Sequence, residues 1–252
     1  MAEIERVAVA VLIIGDEILS GRTQDTNLNF IAKYLGTFGI DVAEVRVVGD
    51  LKDEIIAALN ALRSRYDYVI TTGGIGPTHD DITADCVAEA FGVELYEHPE
   101  IIEMMTARWQ GEINAARRRM ARIPEGGSLV RNPVQGPPGF QIGNVFVLAG
   151  VPMIMRGMME DVGPRMRPGA VVIARTVRVE GIGESVMALP LETVAKAHPD
   201  LSLGSYPFFG QDGFGSNLVV RGRVEDEVLS TVEELVGALE GLGAKAITRV
   251  EP

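Results

Sequence analysis

The sequence has little with which to build a disulfide, a zinc site or a basic surface. Of its 252 residues one is cysteine, Cys86, and three are histidine. A single cysteine excludes an internal disulfide, and with three histidines it leaves no Cys/His framework for a structural zinc. Cys86 reads as a small buried apolar residue on a helix, and this cysteine usage suits a reducing, cytoplasmic location. Lys and Arg number 23 against 35 Asp and Glu, a formal net charge of −12. A chain so acidic repels the nucleic-acid backbone, which disfavours a general DNA or RNA partner, although local dipoles and a bound cation can still hold a small anion. Membrane-length apolar runs are also missing. The opening segment MAEIERVAVAVLIIGDE begins acidic, and its apolar stretch stops at Asp16 and Glu17. Neither a signal peptide nor a membrane span is expected. A GxSxG nucleophile motif is absent as well.

What is present is ample apolar content, 46%, with 23% charged residues, enough for a real core. The first half alternates strand-like and helix-like segments. Residues 6–14 (RVAVAVLII) are almost wholly apolar, as in a strand covered on both faces. Residues 25–38 place Leu28, Ile31, Ala32 and Leu35 on one helical face, with Asp25 or Thr26 as a cap. Residues 40–48 read as a second strand, 51–65 as an amphipathic helix carrying Ile55, Ala58, Leu59 and Leu62, and 67–72 as a third strand before a helix over 82–91. This β-α-β-α-β-α order predicts parallel strands with helical crossovers, and ligands in such sheets bind beyond the carboxyl ends of the strands.

Residues 98–122 read as one or two helices in which Arg117, Arg118 and Arg119 form a solvated face. Residues 140–149 read as a hairpin turning near Gly143-Asn144, and Pro152 suits the first turn of a helix over 152–162. Proline and glycine cluster at 163–169, where the pattern changes. The expected domains are therefore 1–166 and 167–252. The second reads β-α-β-β-α-β, a ferredoxin-like or KH-like α+β order, with residues 207–216 as a long loop carrying three phenylalanines.

The chemistry concentrates in TTGGIGPTHDDIT, residues 71–83, which holds three glycines, a proline, four threonines and two adjacent aspartates directly after a buried strand. Gly73, Gly74 and Gly76 allow a ligand to approach the backbone, and their amides with the following helix N-terminus favour an anion. Of the adjacent Asp80 and Asp81, one can bind a metal while the other caps the helix. Mg²⁺ typically takes one or two protein carboxylates and fills its shell with water and phosphate oxygens. Asp16 and Glu17 end the first strand, at the same edge of the sheet, and Glu17 could serve as a general base. His79 has no visible partner. Asn132 and Pro133 precede a turn that could form the rim of the site.

These residues resemble a known family. GDEILSGRTQDTN (15–27), TTGGIGPTHDDIT (71–83), NPVQGPPGF (132–140) and AGVP (149–152) are similar to the MoaB/MogA-type molybdopterin-binding fold, most of all to its CinA N-terminal branch, and GIGES (181–185) extends the resemblance into the second half. Ala149 departs from that branch, which usually carries proline there. The resemblance implies a three-layer α/β/α domain with a mostly parallel sheet that often forms homo-oligomers. It implies a short form in which the nicotinamide mononucleotide deamidase domain of CinA proteins has no room. It further implies a small phosphorylated ligand held by Thr72, Gly73, Gly74, Gly76, Pro77, Thr78 and Asn27. A divalent metal ion such as Mg²⁺ would be held by Asp16, Asp25, Asp80 and Asp81, with Asp80, Asp81 and Glu17 as the catalytic residues. The implied activity is metal-dependent hydrolysis of ADP-ribose-like pyrophosphates. Binding or adenylylation of molybdopterin is the alternative, and a non-catalytic nucleotide-binding module is a third.

Overall fold

The computed structural model describes residues 6–109, 113–134, 136–210 and 213–250. The parts of the expected helices, rim turn and loop at 110–112, 135 and 211–212 lie outside the described residues. The chain divides into two compact units, one ending at Gly169 and one beginning at Ala170.

In the first unit the elements run β1 (Val7–Ile14), α1 (Asp16–Leu19), α2 (Asn27–Gly36), β2 (Ile40–Val48), α3 (Lys52–Arg63), β3 (Tyr68–Thr72), α4 (Thr83–Phe91), β4 (Leu95–Glu97), α5 (Pro99–Trp109), α6 (Ala115–Arg119), β5 (Arg122–Pro124), β6 (Ser128–Val130), β7 (Gly139–Ile142), β8 (Val145–Leu148) and α7 (Pro152–Val162). Six of the strands form one sheet in the order β2-β1-β3-β8-β7-β6. β1 is parallel to both β2 and β3, and β3 is parallel to β8, whereas β7 runs antiparallel to β8 and to β6.

The sequence dictates this arrangement through burial on both faces. In β1, Ala10, Leu12 and Ile14 pack with Ile55, Leu59 and Leu62 of α3 and with Val87 of α4. Val9, Val11 and Ile13 pack on the other face with Ile31 and Leu35 of α2 and with Met155, Met158 and Met159 of α7. A strand with no solvent face has no use for polar alternation, hence its unbroken Val/Ile/Leu run. The result is three layers, and β1, β3 and β8 end side by side at one edge.

The second unit runs β9 (Ile173–Glu180), α8 (Glu184–Ala197), β10 (Ser202–Gly210), β11 (Gly213–Gly222), α9 (Glu225–Leu239) and β12 (Ala246–Val250). Its four strands are ordered β10-β11-β9-β12, every pair antiparallel. β11 lies between β9 and β10, so the first βαβ is split, the ferredoxin-like order. Val177, Val179, Leu218 and Val220 of the sheet pack with Met187 and Val194 of α8 and with Val228, Val232, Leu235 and Leu239 of α9.

One expectation needs correction here. Residues 207–216 are not a long loop: β10 and β11 stay paired from Ser202↔Arg221 out to Gly210↔Gly213. Pro207 and the glycines masked the strand pattern, but ladder pairing across the hairpin outweighs weak local propensity. Phe209 is 84% exposed at its end, whereas Phe208 is half-buried under the Arg178 guanidinium, 3.7 Å from the ring centroid.

Candidate functional site

Residues 73–76 turn the chain from the end of β3 toward α4. The Gly73 backbone has φ +104°, and a Cβ there would collide with the Ile14 carbonyl, so β1 and β3 can end in contact only if this residue is glycine. Gly74, at φ +65°, lies against the Thr83 hydroxyl, which donates to the Gly73 carbonyl at 3.0 Å, while the Thr83 amide donates to the Gly74 carbonyl at 3.0 Å. Thr83 therefore pins the loop to the first turn of α4. The Gly73 amide donates to the Leu148 carbonyl at 3.2 Å and so belongs to the sheet. Among the described residues the loop amides left without a partner are those of Gly74, Ile75 and Gly76. Of the expected Gly73-Gly74-Gly76 set, the Gly73 amide is therefore not free to meet an anion, and the Ile75 amide is.

This loop forms one wall of a cavity of about 610 Å³, and Glu17 and Asp81 also line it. Both carboxylates lie against glycine. A Cβ on Gly15 would come within 2.5 Å of Glu17 Oε2, and one on Gly76 within 2.6 Å of Asp81 Oδ2. Asp81 Oδ2 accepts from both the Thr78 amide, at 2.8 Å, and the Thr78 hydroxyl, which fixes the end of the loop and leaves Oδ1 without a protein donor among the described residues. Gly150, which lies against the Gly73 backbone, lines the cavity with Val151 and Pro152 at the start of α7, as do Asn132, Gly136, Pro137 and Pro138. The helix termini of α4 and α7 thus both open toward the cavity, a favourable field for an anion.

The remaining predicted residues divide by location. Thr72 is buried at the end of β3, and Pro77, Thr78 and His79 are on the exposed crest of the loop. The His79 side chain is 95% exposed and lies outside the cavity. Asp80, its side chain 57% exposed, does not line the cavity either. Asp25 accepts from the Leu28 amide at 3.0 Å and so caps α2. Asn27 is 5% exposed, and its Nδ2 donates to the Gly150 carbonyl at 2.8 Å, so it anchors the rim rather than lining the cavity. Asp16 turns to the end of β2, where its amide donates to Asp50 Oδ2 at 3.0 Å and its Oδ1 accepts from the Asp50 amide at 3.4 Å. Of Asp16, Asp25, Asp80 and Asp81, Asp81 alone lines the cavity. Among the described residues no group of three or more His, Cys, Asp or Glu side chains is arranged to hold a metal ion. The carboxylates that do share a cavity are Glu17 and Asp81.

Two features escaped the sequence. Asp50 joins the acidic edge: burial pushes its carboxyl up, the Asp16 amide opposes this, and the charges of Asp16, Glu17 and Asp80 raise it again. Its signal was Gly49-Asp50 at a strand end, the same pair as Gly15-Asp16. The second feature is a cationic and aromatic wall. The short β4–β5 ladder, with His98 N donating to Ala121 O at 2.8 Å, closes the α5–α6 excursion on itself. Trp109, Arg119, Met120, Arg122 and Ile123 then line the cavity. Arg119 Nη1 donates to the Thr78 carbonyl at 2.8 Å, and Arg122 makes a two-pronged pair with Asp85 of α4 at 3.0 and 2.7 Å. Arg118 pairs with Glu97, and Arg117 lies over the Trp109 ring at 4.5 Å. Arg118 and Arg119 are exposed, as a solvated face requires, but each guanidinium also has a partner, and Arg119 lines the cavity. Nothing local distinguishes Arg119 from its neighbours, because its direction is fixed by the ladder that closes the excursion.

Comparisons with known proteins agree with this anatomy. A family model described as "Probable molybdopterin binding domain" matches residues 10–168, and one described as "FAD synthase, middle domain" matches residues 172–246. A CinA-like protein of Myxococcus xanthus is 35% identical over 211 residues, which cover 78% of this chain and 50% of the relative. The chain thus spans about half the length of that protein. A protein of Archaeoglobus fulgidus is 33% identical over 197 residues, covering 78% of this chain and 84% of the relative. Among solved structures, the protein CinA with unknown function from Thermoplasma acidophilum superposes with a TM-score of 0.60 at 32% identity, over 64% of this chain and 98% of that one. The family match spans the sheet, the glycine loop and the rim of the cavity, so this chain belongs to the molybdopterin-binding-domain family, among its CinA-like members.

Proposed function

We propose that the cavity binds a nucleotide pyrophosphate of the ADP-ribose type and hydrolyses it with the help of a divalent cation. The observation that carries this reading is that one cavity joins unpartnered loop amides at a helix N-terminus to two carboxylates, Glu17 and Asp81. The Asp81 carboxylate is a hard oxygen donor that suits Mg²⁺, which takes the rest of its shell from water and phosphate oxygens, and Glu17 is left to act on water. The glycines at 15 and 76 are consistent with this, since a side chain at either position would displace the carboxylate beside it. When bound, the cation would neutralise charge on the pyrophosphate and acidify a water molecule.

The chain's own groups account for the rest. The amides of Gly74, Ile75 and Gly76 hold one phosphate against the α4 terminus, and Arg119, bonded to the Thr78 carbonyl, adds positive charge beside the loop. Glu17 accepts a proton from the attacking water as its oxygen bonds to phosphorus. The bond to the bridging oxygen breaks, and that oxygen leaves on the second phosphate, giving AMP and ribose 5-phosphate. Asp81 would hold the cation, and its Oδ2 is tied to Thr78. Asp80 is outside this set.

The test is release of AMP from ADP-ribose by the purified chain, with and without Mg²⁺. Turnover should need the cation, fall at least about a hundredfold in Asp81→Ala and Glu17→Gln, and stay near the parent level in Asp80→Ala. Full turnover in Asp81→Ala overturns the metal role.

A second reading rests on the same cavity and on the family to which the chain belongs. Molybdopterin also joins a planar ring system to a phosphate, and the cavity offers an apolar, aromatic wall facing an anion cradle. Equilibrium titration with molybdopterin separates the two readings, and no saturable binding removes this one.

A further inference from the structure

Trp109 is the chain's sole tryptophan, and it lines the same cavity as the glycine loop. It ends α5, in an excursion that β4 and β5 hold closed. The Arg117 guanidinium lies over its ring at 4.5 Å from the centroid, and Arg117 does not itself line the cavity. The indole is therefore clamped by a cation from outside, while part of it faces the ligand space. Around it the cavity wall is apolar, with Met120, Ile123 and Phe140. The same cavity is lined by Glu17, Asp81 and the residues of the free amides. A ligand with phosphate at one end and a flat ring at the other fits this division of chemistry.

We infer that Trp109 is a binding residue, the stacking platform for a planar nitrogen heterocycle, purine or pterin, whose phosphate occupies the glycine loop. The inference rests on the reading of this cavity as the ligand site, and it does not require that the ligand be hydrolysed. An indole stacks on any flat heterocycle with little regard to its hydrogen-bonding edge. The Arg117 cation on the ring reduces the freedom lost when the ligand arrives, because the indole is already held. Trp109 would thus set ring-bearing ligands apart from bare sugar phosphates.

The experiment uses the full chain and reads binding, so its result is independent of turnover. The emission of Trp109 is the only tryptophan signal in the protein. AMP, ADP-ribose, a pterin monophosphate and ribose 5-phosphate are titrated in turn in the presence of Ca²⁺, which fills a hard-oxygen cation site, with calorimetry in parallel. At least one of the three ring-bearing compounds should quench Trp109 emission at saturation, and ribose 5-phosphate should not. The ring compound that quenches distinguishes purine from pterin. In Trp109→Ala, calorimetry should show about tenfold weaker binding of that compound with ribose 5-phosphate unchanged, and Trp109→Phe should restore most of the loss. Circular dichroism melts of both variants guard against misfolding, and Trp109→Phe keeps the test open if the alanine variant is unstable. The inference is overturned if the alanine variant binds the ring compound as the parent does, if both ligand classes weaken equally, or if no ring compound binds. Failure of hydrolysis with stacking intact would sink the pyrophosphatase reading alone.

Discussion

The two sheets of this protein are built on opposite rules. In the six-stranded sheet β1 is buried on both faces and runs parallel to its neighbours, so β1, β2, β3 and β8 all deliver their following loops to the same edge. In the four-stranded sheet every pair is antiparallel, one face packs on α8 and α9, and β10 is largely exposed. Turns there alternate between the two ends. Parallel topology concentrates loop chemistry in one place, and antiparallel topology disperses it. That is why Gly15, Glu17, Asp50, Gly74, Asp81 and Gly150, scattered over more than a hundred residues, meet at one edge of the first unit.

The sharpest way to break this comparison is to weaken each sheet and measure the loss. Leu12→Ala removes a fully buried side chain from β1, between α3 and α4, and should cost about 3 kcal/mol in chemical denaturation. A loss under about 1 kcal/mol would mean that the strand is not the two-sided core element described. Cys86 probes the same layer without mutation. Burial first, and then the charge of Asp85, push its thiol up to about 11. A thiol raised in the folded state contributes stability that is intact below its unfolded pKa and is lost as pH rises toward 11. At pH 8 a thiol reagent should label folded Cys86 on the order of a hundredfold more slowly than unfolded chain, timed by absorbance.

Asp50→Asn tests the acidic edge where the loops converge. Removing one of several crowded carboxylates should raise the melting temperature by about 2 °C, read by calorimetry. A lowered melting temperature would show that the hydrogen bonds to Asp16 outweigh the repulsion. The smallest effect belongs to the second sheet. Phe209→Ala, at the exposed hairpin end, should change stability by less than about 0.5 kcal/mol.

Much of the first unit was legible because its signals are local and strong. The runs at 6–14 and 67–72 could only be buried strands, and Leu28, Ile31 and Leu35 or Ile55, Leu59 and Leu62 could only be helical faces. The glycine loop stood out because its composition has few uses other than a tight turn at a strand end. The β10–β11 ladder was not legible, since Pro207 and the glycines argue against a strand and only pairing with a partner three to nineteen residues away restores it. Arg119 and Trp109 were not legible as site residues, because a three-residue ladder between β4 and β5 decides which way their helices face.

By itself the sequence determined the residue types at each strand end: glycine where backbones must touch, and carboxylates beside them. It also determined the layers, since apolar periodicity states how many faces of an element are covered. Only the tertiary structure decided which of those groups share a cavity. Asp25, Asp16, Asp80 and Asp81 look alike as letters, yet one caps a helix, one pairs with Asp50, one is exposed and one lines the cavity. The physical reason is that a carboxylate's role depends on which donors and charges lie within a few ångströms of it, and that distance is fixed by strand order and loop closure across the whole unit.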